Sequence, residues 1–75
     1  MEIKVLLFRN GQHLFYVIRP KDRTTYHARL LNDTSATKTV QKNIEIYCVG
    51  MNWESNCPDA LLALELSTAI RTTLN

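Results

Sequence analysis

Four side chains in this sequence carry atoms suited to metal ligation or nucleophilic attack: His13, His27, Cys48 and Cys57. Their spacings match none of the paired-ligand patterns of structural zinc, so two polar histidines and two small thiols is the plainer reading. Cys57 lies just ahead of a predicted helix, where the helix dipole favours a thiolate, but no positioned base or oxyanion site accompanies it. With glycines only at positions 11 and 50, a glycine-rich phosphate loop is not available. Glu54 and Asp59 flank the same helix start, where acids are expected for dipole reasons alone. The residues point away from an enzyme, and no metal or cofactor is expected.

A second group has a different chemistry. Phe8, Phe15 and Arg29, with Lys4, Arg19 and Lys21 around them, are the types that single-stranded nucleic acid needs, because bases stack on rings while cations track phosphates. The formal net charge is only +2, far from that of a dedicated binder, although the basic residues concentrate before Ile44 and acidic ones dominate after it.

What positions these groups is a hairpin. Asn10-Gly11 between two apolar runs is the strongest short-range signal of a two-residue β-turn, and it pairs Arg9 with Gln12, Phe8 with His13, Leu7 with Leu14, Leu6 with Phe15, Val5 with Tyr16, Lys4 with Val17, Ile3 with Ile18 and Glu2 with Arg19. Because side chains alternate, Ile3, Val5, Leu7, Leu14, Tyr16 and Ile18 share one apolar face, leaving Leu6, Phe8, His13, Phe15 and Val17 on a mixed outer one. Pro20-Lys21-Asp22-Arg23 reads as a turn into a third strand starting near Thr24. Pairing Ile18 near Tyr26 sets Phe15 beside Arg29 and adds His27 and Arg29 to the outer face.

Residues 32–43, rich in Asn, Asp, Ser and Thr, favour turns, with a short edge strand from Thr37 to Gln41. Ile44 to Val49 reads as a fourth strand ended by Gly50. Met51 to Cys57 reads as a connection, in which Trp53 either packs under the helix or anchors a partner. A helix is predicted from about Pro58 to about Thr73, with Ser55 or Asn56 as its cap and Leu62, Leu66, Ala69 and Ile70, widened by Ala63 and Leu74, as its apolar stripe. Leu61 and Leu64 point away from that stripe.

These elements make a single α+β domain over residues 1–75, two-layered, with an antiparallel sheet of about four strands beginning as a meander and one C-terminal helix packed on one face. A chain of 75 residues with 45% hydrophobic content can bury roughly 60% of its unfolded surface, and no apolar run is long enough for a membrane span. The run from Val5 to Phe8 is also short for a secretory signal, so a cytoplasmic setting with free thiols is expected. The outer sheet face carries more apolar surface than solvent exposure calls for, and with the one helix already committed to the inner face, either the 32–43 segment or a second subunit is expected to close it. The expected function is a non-catalytic interaction module, self-associating into a homo-oligomer or docking on a protein partner. Its candidate contact residues are Leu6, Phe8, His13, Phe15, His27, Arg29, Leu61 and Leu64; single-stranded nucleic acid is the alternative partner.

Overall fold

The computed structural model describes residues 1–9, 11–32 and 40–74. Five strands, β1 (Ile3–Arg9), β2 (Gln12–Pro20), β3 (Thr25–Leu30), β4 (Asn43–Val49) and β5 (Asn52–Ser55), are followed by one helix, α1 (Ala60–Leu74). They form an antiparallel meander in the order β1-β2-β3-β4-β5, and the sheet curls so that α1 lies on its concave side against both edge strands. The two-layer α+β architecture is the one expected, with one strand more.

All seven pairs between β1 and β2 follow the register that the Asn-Gly turn dictates, from Arg9 opposite Gln12 to Ile3 opposite Ile18. Gly11 has φ 77°, the left-handed conformation that a type I′ turn requires at its second central position. Asn10 itself lies outside the described residues, as does most of the predicted 37–41 edge strand. The described end of that stretch, Val40 and Gln41, is not in a strand.

The next connection differs from expectation by two residues. Pro20 pairs with Tyr26, Ile18 with Ala28 and Tyr16 with Leu30, so β2 runs further and the turn is tighter than predicted. The cause is Asp22: one carboxylate oxygen accepts the N–H groups of Thr24 and Thr25, both at 2.9 Å, and closes the loop at Thr25. Pro20 is tolerated because the β1 partner strand begins only at Ile3, opposite Ile18, so its missing N–H forfeits no ladder bond.

The fifth strand replaces the predicted connection. Val49 pairs with Asn52 across Gly50-Met51, and Gly50 has φ 63°, the conformation a type II′ turn needs at its first central residue. Trp53 is therefore a strand residue opposite Cys48, half-buried on the inner face, its ring 6.2 Å from that of Tyr26. The helix cap is also reassigned. Asp59 accepts the N–H of Leu62 at 3.1 Å, whereas Asn56 bonds the backbone N–H of Glu45 and Ser55 that of Cys57.

The core lies between the layers. Leu14, Tyr16, Ile18, Ala28, Leu30, Ile44 and Ile46 line the trough of the sheet, and Leu62, Leu66 and Ile70 of α1 fill it, each worth roughly 1.5–3 kcal/mol on burial. Ser67 is buried beside that stripe with its hydroxyl donating to the Leu64 carbonyl, while Leu74 is exposed rather than part of it. Arg9, on the same sheet face as Leu7, reaches over the helix start and pairs with Asp59 at 2.8 Å and with Glu65, tying the hairpin end to α1.

Candidate interaction surface on the outer sheet face

The convex face of the sheet is divided lengthwise. At the end near the β2–β3 turn it is charged: Arg19, His27 and Glu45 are neighbours across three strands. Glu2 pairs with Arg19 at 2.7 Å and Lys21 with Glu45 at 2.6 Å. Arg19 holds the Glu2 carboxyl below its usual range, and Lys21 does the same to Glu45. A shallow depression lies here, lined by Arg19, Lys21, His27, Asn43, Glu45 and Asn56. Its cations are largely neutralised by these acids.

The opposite end, near the β1–β2 turn, is apolar. Leu6 and Phe8 are 60% and 64% exposed, Phe15 is half-buried opposite Leu6, and the ring of Phe8 meets that of His13 edge-on at 5.0 Å. Leu31, 45% exposed, extends the patch beyond Phe15, since its N–H bonds the Phe15 carbonyl at 2.8 Å. Sequence reasoning placed Arg29 beside Phe15; the two-residue register change sets Arg29 beside Val17 instead. Leu31 was missed for the same reason.

Of the eight residues singled out from sequence, Leu6, Phe8, His13 and Phe15 are thus brought together. His27 and Arg29 share the face but sit at or toward its charged end. His13 and His27 are not neighbours: His27 is opposite Arg19, six residues along β2 from His13, or about 20 Å. Among the described residues no three His, Cys, Asp or Glu side chains are grouped to hold a metal ion. Val17, expected as part of the apolar surplus, is only 4% exposed. It lies in an inner strand between Lys4 and Arg29, whose aliphatic stems are long enough to screen it.

Leu61 and Leu64 are exposed on the solvent side of α1, away from this face. Leu64 borders a groove between α1 and β5 whose walls include Trp53, Cys57, Ala60, Ala63 and Arg71. Both cysteines are free thiols and half-buried. No described helix is long and apolar enough to cross a membrane.

The backbone of β1 completes the geometry. Phe15 gives both its polar groups to the β3 side, its N–H to Asn32 Oδ1 at 3.0 Å and its carbonyl to Leu31 N–H. Strand alternation then turns Leu14 and Tyr16 toward β1, so Ile3, Val5, Leu7 and Arg9 are the residues that bond back to β2. The N–H and C=O groups of Lys4, Leu6 and Phe8 are left facing the outer edge of the sheet, on which no further strand lies among the described residues. Compared with known proteins, the chain matches no family model, no curated protein and no solved structure.

Proposed function

We propose that this domain is a non-catalytic interaction module that self-associates through the apolar end of its outer sheet face and the adjoining β1 edge. The observation that carries this reading is the coincidence of two features on one strand. Leu6 and Phe8 are more than half exposed, and they lie on a seven-residue edge strand whose outward backbone groups meet no further strand among the described residues. Isolated exposed leucines are common, but contiguous apolar side chains on a long open edge are what a soluble monomer normally avoids. Binding of single-stranded nucleic acid is less well supported, because Arg19 and Lys21, two of the cations it would use, are already paired with carboxylates.

Light scattering on the purified chain tests this. The expected mass is a multiple of the 8.7 kDa chain at high concentration, returning to 8.7 kDa in Leu6→Asp/Phe8→Asp with an unchanged far-ultraviolet circular dichroism spectrum. Scattering at 8.7 kDa throughout for the unmodified chain overturns the reading.

A further inference from the structure

We infer, resting on the interaction reading above, that the partner is a second copy of this chain paired edge to edge through β1. The two strands run antiparallel about a two-fold axis at Leu6, and the two sheets become one of ten strands. The alternative edge is a poor competitor. Asn56 N–H bonds the Glu45 carbonyl, so on β5 the backbone groups facing outward are those of Trp53 and Ser55, both half-buried beside α1. On β1 the outward groups belong to Lys4, Leu6 and Phe8, all exposed.

Strand parity restricts how two such edges can meet. Only even-numbered residues of β1 offer outward N–H and C=O, so hydrogen-bonded pairs must join even residues in both copies. Centring the pair on Leu6 uses all seven residues of Ile3–Arg9: Leu6 meets its own equivalent, Lys4 meets Phe8 of the second copy, and every outward backbone group of the three residues finds a partner. Centring on Lys4 instead shortens the overlap and opposes two lysines. In the Leu6-centred register no like charges are opposed, the Lys4 ammonium lies by the Phe8 ring of the other copy, and Arg9, already held by Asp59 and Glu65, falls opposite Ile3.

Both faces of the seam gain cover. A two-fold axis perpendicular to the sheet keeps the two outer faces on the same side, so Leu6, Phe8 and Phe15 of each copy merge into one apolar patch across the junction. On the inner side, Val5 and Leu7 pack against the core but remain half-buried, and the pairing sets Val5 against Leu7 of the second copy. A strand of seven residues is about 24 Å long and, with side chains on both faces, about 10 Å thick, so the two edges alone cover roughly 500 Å² in total. That is below the usual size of stable interfaces, so the dimer is expected to be weak and to depend on concentration.

Amide hydrogen exchange, read residue by residue by NMR at dilute and concentrated protein, tests the edge pairing separately from association. The expected result is that the Lys4, Leu6 and Phe8 amides slow by about tenfold or more on concentration, while those of Val5 and Leu7 are protected in both samples. A supporting variant is Leu6→Pro, which removes an outward N–H and no β1–β2 bond; it should scatter at 8.7 kDa with the Val5 and Leu7 amides still protected. A dimer in which the Lys4, Leu6 and Phe8 amides still exchange freely overturns edge pairing and leaves the interaction reading standing. A chain that stays monomeric to millimolar concentration overturns both.

Discussion

Tyr16 offers a quantitative check on how the layers are held. It is fully buried in the centre of the sheet, and its hydroxyl donates to the Gln41 carbonyl at 2.6 Å, tethering the chain that leads into β4. Burial pushes its pKa from 10.0 up to about 12, with the nearby Cys57 contributing in the same direction. Tyr16→Phe removes one hydrogen bond and keeps the ring, so at neutral pH it should cost about 1 kcal/mol. Alkali reverses the sign. Between pH 10 and 12 the unfolded tyrosine has lost its proton and the folded one has kept it, so stability falls as pH rises. That loss amounts to roughly 2 kcal/mol by about pH 11.5, and the variant lacks it. Urea denaturation followed by circular dichroism should therefore find the unmodified chain more stable at pH 7 and Tyr16→Phe more stable at about pH 11.5, with the curves crossing near about pH 11. Parallel curves across that range would show that the hydroxyl is not buried against Gln41.

Other expectations follow from single sites. Leu66→Ala, at the centre of the helix–sheet contact, should cost about 2–5 kcal/mol in urea, a large part of the roughly 4–11 kcal/mol a domain of this size possesses, whereas exposed Leu64→Ala should stay within about 0.5 kcal/mol. Gly11→Ala meets no neighbouring atom within 4 Å but forces a side chain into φ 77°, and should lower thermal stability by about 1–2 kcal/mol. In acid, the carboxyls of Asp59, held low first by the Leu62 N–H and then by Arg9, of Glu45 beside Lys21 and of Glu2 beside Arg19 give stability that is complete above the ordinary values of 3.8 and 4.5. It is lost as pH falls through their lower folded values, and thermal melts below pH 4.5 should show a smaller loss in high salt, which screens the exposed pairs.

What was legible in the sequence was whatever local geometry decides by itself. Asn10-Gly11 with alternating neighbours determines one register, and the pairs from Ile3 with Ile18 to Arg9 with Gln12 follow from it. Where a side chain rather than the backbone sets the turn, residue types alone do not determine the register. Pro20 looks like a turn residue, but the Asp22 carboxylate closes the loop one step later, moving Arg29 away from Phe15 and bringing Leu31 to it. The fifth strand was hidden because Gly50-Met51 lacks the Asn-Gly signature and Asn52–Ser55 has a single large apolar residue, too little to show alternation. Ser55, Asn56 and Asp59 are all competent caps by residue type, and only the fold shows that Ser55 and Asn56 bond the Cys57 and Glu45 N–H groups and leave Asp59 to cap α1.

The strand order explains why exposed apolar side chains and an open backbone edge coincide at β1. A meander that never closes must have two edges, and here they are the first and last strands. The last is short, and its outward residues lie half-buried beside α1. The first is the longer one, and five of its seven residues, Ile3, Val5, Leu6, Leu7 and Phe8, are apolar. Among the described residues Lys4 is its one cation outside an ion pair, since Arg9 is drawn inward to Asp59 and Glu65. One lysine does not bar an edge from pairing; placed two residues from Leu6, it disfavours the register that opposes it to itself, and in the Leu6-centred register it meets Phe8. In that register Lys4→Glu, which puts a carboxylate against the negative face of the Phe8 ring, should weaken association while leaving the fold of each copy intact.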